Sequence, residues 1–92
     1  MLEKENLLEI LIKLFINTKD FLNNNVYIYQ LIVILNIYFY YNYFDDLLFE
    51  KYKDELLATL YLIQDKYSNC TKLYYVTEKM FENFENQTIF CN

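Results

Sequence analysis

The feature that most constrains this chain is a run of twenty-four residues, 21–44, that contains no formally charged side chain. The sequence on either side of this run is charged and amphipathic. An uncharged run of this length can form a helix buried in protein, a membrane span, or one or two β-strands. The fold of the whole chain therefore depends on how this run is kept from water.

The apolar residues of the run are spread in a way that favours a buried helix. From Val26 onward they neither gather on one side at a helical period nor alternate as in a half-exposed strand. We therefore expect a helix that is apolar around its whole circumference and buried on all sides. The strand alternative rests only on the abundance of β-branched and aromatic residues.

A membrane span is the main alternative for the run. Tyrosines flank its centre on both sides, as in an aromatic belt at a bilayer. Against this, Gln30, Asn36 and Asn42 lie within it, and each amide costs about 1 kcal/mol or more in hydrocarbon unless it finds a partner. The fully apolar centre, residues 31–35, is also far shorter than the ~20 residues that a span needs.

The absence of glycine, proline and histidine narrows both fold and chemistry. Tight turns and bulged strands depend on glycine and proline, so we predict an all-α bundle of about four helices, a single domain over residues 1–92. Without histidine or glycine, catalytic triads, common zinc sites and phosphate-binding loops are excluded. We therefore expect that the protein is not an enzyme and binds neither a cofactor nor a metal. The two cysteines, Cys70 and Cys91, are expected to be reduced.

Helical spacing and capping residues predict where the four helices lie. We expect helices over residues 2–17, 26–44, 46–67 and 71–86, with Asn25 capping the second and Asp45 or Asp46 the third. Residues 17–20 should end the first helix. The predicted apolar stripes are Leu7, Leu8, Leu11, Leu14 and Phe15 in the first helix, Phe49, Tyr52, Leu56, Leu60, Ile63 and Tyr67 in the third, and Leu73, Val76, Met80 and Phe84 in the fourth. Leu2, Ile10, Ile12 and Ile16 widen the first stripe, so we expect this helix to be covered on most of its circumference. The third stripe is joined by Leu48, Leu57 and Tyr61, and Tyr74 and Phe81 lie beside the fourth.

The size and charge of the chain indicate a protein that binds a second copy of itself or another protein. Ninety-two residues with nineteen aromatic side chains hold more apolar surface than a small domain can bury, so we expect self-association or a partner. The net charge of −5 comes from thirteen acidic and eight scattered basic residues, which excludes direct nucleic-acid binding. An acidic protein of this kind suits a protein partner with a basic surface.

Two groups of residues are candidates for that contact. Tyr38, Tyr40, Tyr41 and Tyr43 form the first group, because tyrosine provides a large amphipathic contact area, although they can equally pack at the rim of the core. The second group is Glu78, Glu82 and Glu85, a row on one helix face that either meets basic side chains or simply stays solvated. The pairs Asp45/Asp46 and Asp54/Glu55 are expected to serve as caps and solvated surface.

Together these features predict a small, acidic, non-enzymatic interaction protein of the inhibitor, immunity or anti-defence type, in the cytoplasm. Abundant Ile, Asn, Lys, Tyr and Phe with no Arg indicate an AT-rich genome, and we expect a viral or mobile-element protein. The alternative is a membrane-anchored accessory subunit of a larger complex, with residues 21–44 in the bilayer.

Overall fold

Four helices make up most of the chain that the structure, a computed structural model, describes. They are α1 (Leu7–Asn17), α2 (Asn25–Tyr40), α3 (Asp46–Lys66) and α4 (Thr71–Cys91), with a 3₁₀ turn at Thr18–Asp20. Residues 6–91 are described, and their side chains from Asn6 to Gln87. No strand occurs in that range. The predicted all-α bundle is confirmed, while the predicted start of the first helix at Leu2 lies outside the described residues.

Short polar side chains start three of the helices by accepting hydrogen bonds from free backbone N–H groups. Asn6 caps α1 by accepting from Leu8 N at 2.9 Å. Asp45 caps α3 by accepting from the amides of Leu47 and Leu48 at 2.8 and 3.1 Å, as predicted. The cap of α2 is Asn24, one residue before the predicted Asn25. Its side chain reaches the N–H three residues on, which is the usual capping geometry.

The end of α2 differs from the prediction by four residues. The helix stops at Tyr40 rather than Phe44, because Asn42 takes a left-handed conformation with φ 61°. Tyr43 N–H then donates to the Tyr38 carbonyl at 2.8 Å, and Asn42 N–H donates to the Phe39 carbonyl at 3.0 Å. These two bonds form a Schellman motif, which normally uses glycine. In a chain without glycine, asparagine is the residue that tolerates this backbone best.

Each helix packs closely on two others. α2 lies between α1 and α4, and α3 also contacts both α1 and α4. Val26 and Tyr29, near the start of α2, lie beside Leu73 near the start of α4. Phe39, at the other end of α2, lies beside Phe84 with ring centroids 5.6 Å apart. α2 and α4 therefore run in the same direction.

The predicted stripes of α3 and α4 supply nine of the nineteen hydrophobic residues that are buried in the described part of the chain. All four α4 residues of that prediction are buried, and in α3 only Tyr67 is half-buried rather than buried. In α1 the prediction was partly wrong. Leu8, Ile12, Phe15 and Ile16 of the predicted stripe are buried, but Leu7 and Leu14 are exposed. The side of α1 away from its neighbours is therefore open, although it was expected to be covered on most of its circumference.

The expectation that the second helix is buried on all sides was also wrong. Its buried residues recur at helical spacing on one face: Ile28, Leu31, Ile32, Leu35 and Phe39. On the opposite face Val26, Ile34, Ile37 and Tyr40 are exposed. The reason is that α1 and α4 cover only one side of α2, and no other part of the described chain covers the rest.

Four phenylalanines close one end of the core. Phe39 and Phe44 stack with centroids 4.0 Å apart, and Phe49 meets Phe84 edge to face at 5.2 Å. Phe49 also lies edge-on to Phe39 and Phe44. Edge-on arrangements are favourable for aromatic rings, and these contacts link the end of α2 to the start of α3 and to α4.

None of the helices within residues 6–91 combines the length and the apolar character required to cross a membrane.

Candidate interaction surface

Two surface clefts flank α4, and the predicted contact residues divide between them. The acidic cleft, about 630 Å³, lies between α3 and α4 and is lined by Lys53, Leu57, Tyr61, Gln64, Glu78, Phe81, Glu82, Phe84 and Glu85. The tyrosine groove, about 450 Å³, lies between α2 and α4 and is lined by Val33, Asn36, Ile37, Tyr40, Tyr41, Tyr75, Val76, Lys79, Glu82 and Asn83. Glu82 lies on the shared edge of the two clefts.

The acidic cleft takes its character from the spacing of α4. Glu78, Glu82 and Glu85 follow at steps of four and three, so they lie on one side of the helix. The sequence placed these three residues together, and the structure keeps them together at the cleft. What it adds is the lining beneath them, which includes Tyr61 and Phe81 with ring centroids 5.0 Å apart.

Hydrogen bonds and ion pairs orient part of this rim. Gln64 Nε2 donates to Glu78 Oε2 at 2.6 Å, which holds the first carboxylate across the cleft. Glu82 pairs with Lys79 at 3.7 Å, and Glu85 is exposed. On the α3 side Lys53 is paired with Glu50 at 3.9 Å. The cleft therefore presents three carboxylates and one already paired ammonium group over an aromatic lining.

Asn36 fixes the base of the tyrosine groove. Its Nδ2 donates to the Val76 carbonyl at 3.2 Å, and its Oδ1 accepts from Asn83 Nδ2 at 2.9 Å. These two hydrogen bonds satisfy the polar atoms of the Asn36 amide, which would otherwise be half-buried without a partner in an apolar helix. The bridge ties α2 to α4 and keeps the two walls of the groove at a fixed separation.

Three of the four predicted tyrosines form an exposed cluster at the end of α2. Tyr40 and Tyr41 meet edge to face at 4.9 Å, and Tyr41 stacks on Tyr43 at 6.1 Å. The Schellman motif at Asn42 directs the chain so that all three remain exposed. Tyr38 is different, because it is half-buried and packs on the core. Tyr38 is therefore separate from the exposed cluster and lies at the rim of the core, which was the alternative given for this group.

Sequence reasoning missed the aromatic residues that complete both clefts. Tyr75 is exposed in the tyrosine groove, where the Lys79 ammonium lies 5.8 Å from its ring centroid. Tyr61 and Phe81 had been placed beside the apolar stripes as core residues. The available signal was their position at the edge of each stripe, where a side chain is only partly covered.

Among the other predicted carboxylates, Asp45 and Asp46 have structural roles, while Asp54 and Glu55 are exposed on α3. Asp45 caps α3, and Asp46 accepts a hydrogen bond from Gln87 Nε2. In the part of the chain that is described, no group of three or more His, Cys, Asp or Glu is arranged to hold a metal ion. Cys70 is a half-buried free thiol, and the side chain of Cys91 lies outside the described residues.

A separate polar contact joins α1 to α3 and shifts three pKa values. The Tyr52 hydroxyl donates to Glu9 Oε2 at 2.6 Å, and the Lys51 ammonium lies 3.3 Å from the same oxygen. These hydrogen bonds, chiefly that from Tyr52, lower the pKa of Glu9. The hydrogen bond to Glu9 in turn raises the pKa of Tyr52 and of Lys51.

Tyr52→Phe should therefore destabilise the protein at neutral pH by an amount that shrinks in acid. A carboxyl group whose pKa is depressed by folding stabilises the fold above its unfolded pKa, about 4.3, and loses that effect as pH falls through the folded pKa. Urea unfolding at pH 7 and pH 3 measures the two differences. Tyr61→Phe, at an exposed tyrosine of the same helix, is the control. A wild-type minus Tyr52→Phe difference that stays constant with pH would contradict the prediction.

No known protein family, no curated protein and no solved structure matches this chain.

Proposed function

We propose that this protein is a non-enzymatic binding protein that docks through its acidic cleft on a basic surface of a protein partner. The observation that carries the proposal is the row Glu78, Glu82 and Glu85 at the edge of a cleft lined by Tyr61 and Phe81. In the form we favour, the protein acts in the cytoplasm as a stoichiometric inhibitor, immunity or anti-defence factor from a virus or mobile element.

The chemistry of the cleft suits a lysine or arginine side chain. The long aliphatic part of such a side chain packs on an apolar wall while its charge stays in water. Its cationic group is also attracted to the face of an aromatic ring. The acidic cleft offers both features, with rings in its lining and carboxylates beside them. A partner helix or loop carrying two or three basic residues would fit along the row.

The two features should contribute differently to binding. Exposed ion pairs contribute only about 0–1 kcal/mol each, so the glutamates set the rate of encounter and the choice of partner. Aromatic side chains in a desolvated pocket supply most of the affinity. The net charge of −5 adds long-range attraction to a basic surface. A partner whose basic surface normally grips phosphates would be blocked by such an occupant.

A synthetic amphipathic helical peptide with lysine and arginine on one face is the test probe, with affinity measured by isothermal titration calorimetry. The triple variant Glu78→Gln, Glu82→Gln, Glu85→Gln should weaken binding by about tenfold or more, roughly 1.4 kcal/mol. The control variant Asp54→Asn, Glu55→Gln, Asp65→Asn removes the same charge from exposed positions of α3. It should change the affinity by less than about threefold.

The variant Phe81→Ala distinguishes the contribution of the aromatic lining to binding from that of the carboxylate charges. It should weaken peptide binding without altering the net charge, because it removes one of the aromatic rings that line the cleft. Equal losses in the triple variant and in its control would mean that attraction is spread over the whole surface. That result, or no binding at all, would contradict the assignment of the cleft.

A further inference from the structure

The outer face of α2 is a second surface, separate from the acidic cleft. It consists of Val26, Gln30, Val33, Ile37 and Tyr40, with Ile34 beside them. These residues follow at steps of four, three, four and three, which is the spacing of a helix–helix seam in a coiled coil. Val26, Ile34, Ile37 and Tyr40 are exposed, and Val33 is half-buried. No charged residue occurs anywhere in α2.

We infer that this outer face packs against the same face of a second copy of the chain, with the two α2 helices antiparallel. A two-fold axis at Val33 places Val26 of each copy opposite Tyr40 of the other. A small side chain then faces a large one at both ends, and Val33 faces itself. Such a pairing is self-complementary and closed, as two-fold interfaces are.

The helix dipole also favours the antiparallel arrangement. α2 has no acidic residue in its first turn and no basic residue in its last turn, so nothing on the helix itself offsets the partial charges at its ends. Antiparallel packing brings the N-terminus of each α2 beside the C-terminus of the other, where opposite partial charges attract. A parallel pair would place like ends together.

Charges at the rim agree with a second copy as the occupant. Lys72 lies in a cleft with Val26 and Tyr29, at the start of α2, whereas Glu82 lies near Tyr40 at its end. Because α2 and α4 run in the same direction, the two-fold axis brings Lys72 of each copy towards Glu82 of the other. Glu82 also pairs with Lys79 of its own chain, so this approach sets orientation more than affinity.

The exposed area is sufficient for a weak dimer. Taking about 150–250 Å² for a fully exposed aromatic side chain, the outer face with Tyr41 and Tyr75 offers on the order of 600–700 Å². A standard interface buries about 800 Å² per partner. The uncharged seam also lets two copies of an acidic protein meet without burying like charges. We expect a dissociation constant in the micromolar range.

Sedimentation velocity from about 1 to 200 µM, a range centred on that affinity, tests the dimer directly. Wild-type protein should pass from monomer to dimer. Ile37→Asp, at a side chain that is 49% exposed and lies one helical turn from the two-fold axis, should raise the dissociation constant by about tenfold or more. Leu62→Asp is the matched control, because Leu62 is 46% exposed on α3, and it should leave the dimer unchanged. Circular dichroism confirms that both variants fold.

Cross-linking tests the antiparallel geometry. In a Cys70→Ser, Cys91→Ser background, Val33→Cys lies on the two-fold axis and should form a covalent dimer on mild oxidation. Val26→Cys should not cross-link to itself, but should cross-link to Tyr40→Cys when the two variants are mixed. Efficient self-cross-linking of Val26→Cys would overturn the antiparallel arrangement.

Further outcomes separate this inference from its rivals and from the proposed function. A protein that stays monomeric throughout the concentration range overturns the second copy as the occupant. If that monomer also co-sediments with phosphatidylcholine vesicles, and Ile37→Asp abolishes the co-sedimentation, the face binds lipid instead. Glu78→Gln with Glu85→Gln should leave the dimer intact, because neither residue lines the tyrosine groove. Loss of the dimer in that double variant would contradict the assignment to α2.

Discussion

Ile32→Asp should unfold this protein, whereas Ile34→Asp, two residues further along α2, should leave it folded. Ile32 is 0% exposed in the core, and Ile34 is 38% exposed on the outer face. A carboxylate at Ile32 would be buried without a partner, a change that costs several kcal/mol. A domain of this size is only marginally stable, near the lower end of the range of about 5–15 kcal/mol, so that loss is comparable with its whole free energy of unfolding.

Thermal unfolding followed by far-ultraviolet circular dichroism distinguishes the two variants. Ile34→Asp should cost less than about 1 kcal/mol, as surface substitutions away from special features do. The two substitutions introduce the same side chain into the same helix, so helix propensity does not separate them. Similar melting curves for both variants would mean that α2 does not present the face seen in the structure.

Phe49→Ala should be the most damaging truncation in the aromatic end of the core, with a loss of about 3–5 kcal/mol. Phe49 is 0% exposed and lies edge-on to Phe39, Phe44 and Phe84. Its removal leaves a cavity among three large side chains and ends all three ring contacts. Because the rings belong to α2, α4 and the α2–α3 connection, the packing of several elements is weakened at once.

Urea unfolding of Phe49→Ala beside Tyr43→Ala measures this effect. Tyr43 is 71% exposed, so its truncation should change the free energy of unfolding by less than about 0.5 kcal/mol. A loss below about 1 kcal/mol for Phe49→Ala would show that its neighbours collapse into the space or that the site is not packed as described.

The buried sides of the charged helices were predictable, because polar and apolar residues alternate at helical spacing in their sequence. In α4 the apolar residues Leu73, Val76, Met80 and Phe84 recur at helical spacing, and polar residues occupy the other side of the helix. All four apolar residues are buried. The start of α3 was equally readable, because Asp45 is an efficient cap at the point where the uncharged run ends. The row Glu78, Glu82 and Glu85 followed from the same periodicity, but the aromatic lining beneath it did not.

The orientation of α2 was not readable in this way. Its residues are apolar almost all round, so hydropathy gave no reason to bury Ile32 and expose Ile34. The prediction of where α2 ends was wrong for a different reason. Whether Asn42 continues a helix or takes a left-handed backbone depends on the bonds that Tyr43 and its own N–H make, and Asn is compatible with either state.

The sequence alone determined that this chain is all-α, because it has no glycine or proline for other turns and because its charged segments are periodic. The tertiary structure alone decided which side of α2 is covered, since only the positions of α1 and α4 distinguish faces of equal hydropathy. It also created the two clefts beside α4. A cleft is a gap between two packed helices, and no local pattern of residues specifies the width of such a gap.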